Sequence, residues 1–245
     1  MSGHSHWATI KHKKGAADAR KGKLWSKLAR AIQIAAKEGG GNPDMNIKLA
    51  NAIGDARAES MPRDSIERSI KRGTGEIAGV SYESISYEGY GPGGVAIMLD
   101  ALTDNKNRTA SEIRKAFETH GGNLGGAGCV AYMFQRKGVI IIPTASAGED
   151  QMMADVLDAG ADNMETSGDA YFITAAPTDF ETVKKALAKK YTFRSSELTM
   201  IPKDFVKVDE GTGRKVLNLM EAIDDSEDVQ KVYTNFSLPE TLVKS

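Results

Sequence analysis

The spacing of the apolar residues changes near Gly75 and divides the chain into two kinds of structure. Before this glycine, apolar side chains recur three and four residues apart, as they do on one face of an α-helix. These residues are Leu24, Leu28, Ile32 and Ala35, then Leu49 and Ile53, then Ile66 and Ile70. After it, apolar residues alternate along short runs, for example Val95, Ile97 and Leu99, which is typical of β-strands. The N-terminal part is therefore predicted to be helical and the rest to be α+β.

Glycine and proline positions predict where the N-terminal helices begin and end. Gly39 ends the first helix, and Asn42 and Pro43 are suited to the cap and the first helical position of the second. Pro62 is predicted to open the third helix and Gly73 to end it. Helices this short are marginal in isolation, so we expect them to pack together as a three-helix bundle.

The remaining elements follow a recognisable order. Residues 76–134 predict a hairpin with its turn at 89–93, a helix over about 107–119 and a short strand at 130–134. Residues 136–202 predict the order β-α-β-β-α-β, which is that of a ferredoxin-like domain. A helix around 214–223 and a strand near 229–236 are expected to complete the sheet of the middle domain. The predicted domains are therefore 1–75, 76–134 plus 206–245, and 135–205.

Charge is distributed very unevenly along the chain. Residues 1–75 contain 15 Lys and Arg against 7 Asp and Glu, whereas the rest contains 17 against 26. The two parts thus carry net charges of +8 and −9. Such asymmetry indicates a basic region with a polyanionic partner.

The basic region predicts a nucleic-acid interface near the N-terminus. Basic side chains recur at helical spacing, where like charges repel unless phosphates neutralise them. Trp7 and the histidines add a stacking ring and conditional charge. The predicted contact residues are His4, His6, Trp7, Lys11, His12, Lys13, Lys14, Arg20, Lys21, Lys23, Lys27 and Arg30. The alternative interpretation is a solvated charged face.

Two further surfaces are candidates for contacts. A secondary contact surface is predicted at Asn105, Asn107, Arg108, His120 and Asn123, on and around the helix at 107–119. The acidic residues 224–228 are interpreted as a solvated loop, which could repel nucleic acid and so orient the molecule. An alternative function is a protein-interaction module that uses the acidic α+β body.

The glycine-rich loop at 121–128 is the one segment that suggests an enzyme. It links a helix to a strand, whereas phosphate-binding glycine loops follow a strand and open a helix. A phosphate-ligand enzyme at this loop is therefore the weakest alternative, and the loop is interpreted as a flexible turn or binding surface. His120 lacks a visible catalytic partner, and Cys129 is interpreted as a small core residue. We predict no enzyme activity, no cofactor and no metal, although Ser2-Gly3-His4 could bind Cu(II) or Ni(II) if Met1 is removed.

Composition predicts a cytoplasmic location. The single cysteine cannot form an internal disulfide, which suits a reducing compartment. No apolar run approaches the ~20 residues that span a bilayer, and the first residues lack the apolar core of a signal peptide. We therefore expect no membrane partner.

Five separated segments resemble the YebC family. They are GHSHWATIKHKK at 3–14, PRDSIER at 62–68 with KRGTG at 71–75, YEGYGPGG at 87–94, LTDNKNRT at 102–109 and HGGNLG at 120–125. The resemblance covers essentially the whole chain. It implies a multidomain α+β protein in which an N-terminal three-helix bundle is followed by two ferredoxin-like α+β domains.

The resemblance also implies a function in gene expression. Bacterial members of the YebC family are described as transcriptional regulators that bind DNA, and some act on ribosomes stalled at proline runs. The family also includes the mitochondrial translational activator of cytochrome oxidase. The expected partner is therefore DNA or ribosomal RNA, with a slight preference for the ribosome because no helix carries an obvious base-reading set. Two positions depart from the family pattern: His6 stands where Lys is usual, and Cys129 where Ser is usual.

Overall fold

The computed structural model describes residues 17–237, with side chains from residue 21 onward. The helices are α1 (Ala17–Gly39), α2 (Ile47–Ala58), α3 (Arg63–Gly73), α4 (Lys106–Thr119), α5 (Glu149–Asp158), α6 (Phe180–Leu187) and α7 (Glu210–Asp224). The strands are β1 (Glu83–Tyr90), β2 (Ala96–Thr103), β3 (Asn123–Leu124), β4 (Phe134–Pro143), β5 (Asn163–Ser167), β6 (Ala170–Ala175), β7 (Ser195–Pro202), β8 (Val206–Lys207), β9 (Val229–Thr234) and β10 (Phe236–Ser237). The predicted multidomain α+β class is confirmed.

Helices α1, α2 and α3 form the predicted bundle. Its core contains Ile32, Leu49 and Ile66, which come from the three apolar faces read in the sequence. Pro62 precedes α3 and Gly73 ends it, as predicted. Gly73 also allows α3 to approach α1 closely, because a Cβ atom there would lie only 2.8 Å from the Ala36 Cβ.

The predicted start of α2 was wrong. Asn42 caps only a turn, in which its side chain accepts from the Asp44 N–H at 3.0 Å. The helix begins after Asn46, whose side-chain oxygen accepts from the Leu49 N–H at 3.1 Å. The Asn46 amide nitrogen also donates to the carbonyl oxygens of Ala35 and Gly40, at 2.8 and 2.9 Å. Asn46 therefore satisfies both the end of α1 and the start of α2, an advantage that Asn42 lacks.

The middle sheet has the strand order β3-β1-β2-β9, and all neighbours are antiparallel. Strands β1 and β2 form the predicted hairpin, and the connection includes Gly93 and Gly94 with positive φ values of 73° and 75°. Helices α4 and α7 cover one face, where Leu99, Phe117 and Leu219 share a core. The strands are arranged in space as in a ferredoxin-like sheet. In the sequence, however, β1 comes first in the unit, whereas the strand at its place in a ferredoxin-like domain would follow β3.

The third unit follows the predicted order β4-α5-β5-β6-α6-β7. Its sheet order is β5-β6-β4-β7 with antiparallel neighbours, which confirms the ferredoxin-like arrangement. Helices α5 and α6 pack through Met152 and Val183 onto Ile140 and Ile142. The chain then returns to the middle sheet, where β9 pairs with β2. The exact domain boundaries stay a prediction.

The predicted strand at 130–134 was wrong. Residues Ala131–Met133 form a 3-10 turn, and β4 begins only at Phe134. Val130 is fully buried, but its N–H donates to the Glu88 carboxylate instead of a neighbouring strand. The apolar pattern therefore predicted the burial of Val130 and Phe134 correctly, but Tyr132 between them is 62% exposed and the backbone forms no strand.

Candidate nucleic-acid interface

The structure describes only part of the predicted interface. His4, His6, Trp7, Lys11, His12, Lys13 and Lys14 lie outside the described residues, as does the side chain of Arg20. The remaining predicted residues, Lys21, Lys23, Lys27 and Arg30, lie on α1. Lys21 is exposed and its ammonium lies 5.7 Å from the centre of the Trp25 ring. The other three residues form what we call the basic face of α1.

The basic face of α1 contacts residues 224–228, which we call the acidic segment. The Lys23 ammonium lies 3.7 Å from an Asp225 carboxylate oxygen, and the Lys27 ammonium lies 3.4 Å from an Asp224 carboxylate oxygen. Lys27 also donates to the Asp224 carbonyl oxygen at 2.6 Å. These ion pairs join positions about 200 residues apart in the sequence, so their formation depends on the tertiary fold.

Arg30 makes the most extensive contacts of the basic face. Its guanidinium donates to an Asp228 carboxylate oxygen at 2.9 Å and to a Glu227 carboxylate oxygen at 3.2 Å. It also lies over the Tyr82 ring, 5.2 Å from the ring centre. Its side chain is only 12% exposed. In this arrangement Arg30 is occupied by carboxylates and closed to a phosphate.

Asp228 is the buried centre of this network. Its second carboxylate oxygen accepts from Arg108 at 2.9 Å and from the Thr109 hydroxyl at 2.7 Å. Burial by itself raises the pKa of Asp228, but the hydrogen bonds from Thr109 and Arg108 and the charge of Arg30 outweigh it and hold the pKa below its usual range. The interpretation of residues 224–228 as a solvated loop therefore fits Asp225 and Glu227, which are 73% and 56% exposed, but is wrong for Asp228, which is 3% exposed.

The predicted secondary surface divides between the two ends of α4. Asn105 caps the start of the helix by accepting from the Arg108 N–H at 3.1 Å, and the Arg108 side chain pairs with Asp104 and Asp228. Asn107 is exposed beside them. His120 and Asn123 lie beyond the other end of the helix, about 20 Å away at 1.5 Å per residue. The His120 ring donates to the Ala116 carbonyl oxygen at 2.8 Å.

The glycine-rich loop is held by a carboxylate that the sequence analysis missed. Glu88 on β1 accepts from the backbone N–H groups of Gly128, Val130 and Ala131, at 2.7, 2.8 and 2.7 Å. Burial raises the pKa of Glu88, and the three N–H donors lower it by more, so the net pKa lies below its usual 4.5. These donors are therefore unavailable to a phosphate, and the C-terminal part of the loop is anchored to β1. The available signal was the position of Glu88 two residues before Tyr90, on the same inward face of β1.

Cys129 lies half-buried in this loop. Its carbonyl oxygen accepts from the Tyr90 hydroxyl at 2.9 Å. Burial and the nearby charge of Glu88 raise the pKa of the thiol, which is the opposite of what a nucleophilic cysteine requires. This environment agrees with the interpretation of Cys129 as a small packing residue.

Helix α3 carries basic residues that were not included in the predicted interface. Arg63, Arg68, Lys71 and Arg72 are all exposed, while Glu67 pairs with Arg63 at 2.7 Å. With Arg57 on α2, they extend the positive surface of the bundle beyond α1. The signal for them was the adjacent pair Lys71-Arg72 at the end of the third apolar repeat.

Family comparisons connect these features to known proteins. Residues 5–76 match the family model described as "TACO1/YebC protein N-terminal domain". Residues 82–236 match the model described as "TACO1/YebC second and third domain". The chain belongs to the TACO1/YebC family.

Relatives of this TACO1/YebC family member match over nearly their whole length. A protein of Dictyoglomus turgidum is 54% identical over 247 residues, covering 100% of this chain and 99% of the relative. A protein of Treponema pallidum is 49% identical, covering 99% of this chain and 100% of the relative. Both are named "probable transcriptional regulatory protein". A crystal structure of a conserved hypothetical protein from Aquifex aeolicus is similar with a TM-score of 0.85 and 44% identity, covering 96% and 98% of the two chains.

The described residues contain neither a candidate metal site nor a candidate membrane span. Between residues 17 and 237, no group of three or more His, Cys, Asp or Glu side chains is arranged to hold a metal ion. In the same range, no helix combines the length and apolar character needed to cross a membrane.

Proposed function

We propose that this TACO1/YebC family member is a non-enzymatic, nucleic-acid-binding regulator of gene expression whose basic N-terminal region contacts the phosphate backbone. The observation that carries the proposal is the charge separation, with +8 on residues 1–75 and −9 on the rest. A phosphate polymer attracts the first part and repels the second, so it meets the molecule from one side. The names of the relatives support a regulatory role.

The distribution of the exposed cations favours contact with the backbone over reading of bases. In the described bundle they lie on all three helices: Lys21, Lys23 and Lys37 on α1, Lys48 and Arg57 on α2, and Arg63, Arg68, Lys71 and Arg72 on α3. Sequence-specific readers usually insert one recognition element into a groove and contact base edges from it. A dispersed positive surface suits recognition by shape and phosphate position, which is how structured RNA is usually bound. We therefore favour ribosomal RNA over a DNA operator.

Charge reversal in the N-terminal segment tests this proposal. Lys11, Lys13 and Lys14 are changed together to Glu, and the control changes the exposed Lys185, Lys189 and Lys215 to Glu, which alters the net charge equally. If about six to eight cations meet phosphates, wild-type affinity falls by roughly three decades or more between about 50 and 200 mM salt. The N-terminal variant is expected to lower the slope of log affinity against log salt by about two to three, and the control by much less.

Cell extracts distinguish the two polymers. The wild-type protein is expected to sediment with ribosomes at low salt and to leave them at high salt. A protein found only in ribosome-free fractions, with crosslinks to particular promoters, would instead support the DNA alternative. If the N-terminal variant bound RNA and DNA as tightly as the wild-type protein does, this result would contradict the proposal itself.

A further inference from the structure

A cluster of ion pairs joins the helical bundle to the middle unit. Within the described residues, the apolar core of the bundle shares no side chain with the cores of the two sheets. The bundle contacts the acidic segment through Lys23, Lys27 and Arg30, and it contacts the residues just before β1 through Arg30 over Tyr82 and Lys37 donating to Ser81. Interfaces of this polar kind permit relative domain motion, and salt weakens those of their ion pairs that reach the surface.

Lys23, Lys27 and Arg30 have two competing kinds of binding partner, phosphates and carboxylates. Under the proposed function they are ligands for phosphates, but the structure shows them bound to carboxylates. A guanidinium that donates to Asp228 and Glu227 has no free donor face for a bidentate phosphate contact. The four carboxylates of the acidic segment also place negative charge beside the basic face, which reduces its attraction for a polyanion.

We propose that the acidic segment is an internal competitor for nucleic acid: it holds the basic face of α1 in the docked arrangement, and a phosphate backbone takes its place on Lys23, Lys27 and Arg30 when the bundle moves away. This inference rests on the proposed function. It assigns residues 224–228 a regulatory contact and makes the docked arrangement the state of lower affinity.

The partners of Asp228 make such an exchange feasible. A buried carboxylate that loses its only cation is strongly destabilising. Asp228, however, keeps Arg108 and Thr109, which both belong to α4 of the same unit, when Arg30 leaves. The departing Arg30 in turn gains a phosphate. For the most buried pair, Arg30 and Asp228, neither partner is therefore left as an unpaired buried charge.

The outer ion pairs are the ones to remove in a test. The side chains of Asp225 and Glu227 are 73% and 56% exposed, so replacing them leaves the buried core intact. The test variant is Asp225→Asn with Glu227→Gln. The control variant, Asp158→Asn with Glu165→Gln, removes the same charge from exposed positions far along the chain in the third unit.

Two measurements on the full-length protein decide the matter. Affinity for a short single-stranded RNA and a short DNA duplex is measured by fluorescence anisotropy. The separation of the bundle and the middle unit is measured between spin labels at Asn51 and Lys215, in a Cys129→Ser background. Removing two largely exposed pairs is expected to tighten binding by roughly two- to thirty-fold and to broaden the distance distribution. The control is expected to change affinity by less than about twofold.

The outcomes separate the two proposals. If the wild-type protein binds nucleic acid but the test variant binds no more tightly than the control, the acidic segment is not a competitor and the proposed function stands. If the test variant opens without binding more tightly, the competition is likewise refuted. If neither protein binds either polymer at low salt, the proposed function fails and the inference fails with it. Tighter binding together with longer distances on adding RNA supports both.

Discussion

Replacing Glu88 by Ala should release the glycine-rich loop from the middle sheet. The carboxylate accepts three backbone hydrogen bonds, from Gly128, Val130 and Ala131. The Val130 N–H is buried, so leaving it without a partner costs about 1–3 kcal/mol, while the two more accessible N–H groups each lose about 0.5–1.5 kcal/mol as water replaces the carboxylate. The expected loss in the free energy of unfolding is therefore about 2–6 kcal/mol.

Urea unfolding and amide hydrogen exchange measure this effect. The urea midpoint should fall, and exchange at Gly128, Val130 and Ala131 should accelerate before any change appears in the third unit. Glu165→Ala, which removes an exposed strand carboxylate, should stay within about 0.5 kcal/mol of the wild type. A loss below about 1 kcal/mol for Glu88→Ala, with normal protection at Val130, would refute the view that this carboxylate orders the loop.

Two further predictions concern packing in the bundle and acid stability in the third unit. Gly73→Ala should lower the free energy of unfolding by about 1–3 kcal/mol because the added methyl group collides with α1. Gly54→Ala, whose methyl group would meet nothing within 4 Å, should raise the free energy of unfolding by about 0.5–1 kcal/mol. Urea unfolding of both variants checks this, and equal effects would contradict it. Hydrogen bonds from Lys190 and Tyr191 lower the pKa of Asp155 from 3.8 to about 2, so its contribution to stability is present above pH 3.8 and is lost as the pH falls towards 2. Urea unfolding at several pH values measures the difference in stability between the wild type and Asp155→Asn. This difference should be largest above about pH 4 and shrink towards pH 2. A difference that does not change with pH would show that the carboxylate charge is irrelevant.

Some features of the candidate site could be predicted from neighbouring residues in the sequence, and others could not. The basic character of α1 is visible directly, because lysine and arginine at helical spacing define a face whatever the chain does elsewhere. The partners of that face were not predictable. Arg30 meets Asp228 across 198 residues, and nothing near either residue marks the other. The acidic segment was consequently interpreted as a solvated loop.

The type and order of most elements were determined by the sequence alone. Apolar spacing of three and four, or alternation by two, is a property of neighbouring residues and predicts helix or strand without knowledge of the fold. The order β-α-β-β-α-β then allowed the ferredoxin-like unit to be predicted, and the structure confirms it.

Only the tertiary structure decided which polar groups meet. Asn46 rather than Asn42 caps α2 because it also reaches the end of α1, and the backbone at Val130 leaves the strand pattern because Glu88 accepts its N–H. The physical reason is common to both cases and to the pairing of Arg30. A buried polar group needs a partner within about 3 Å, and the path of the whole chain determines which partner arrives there.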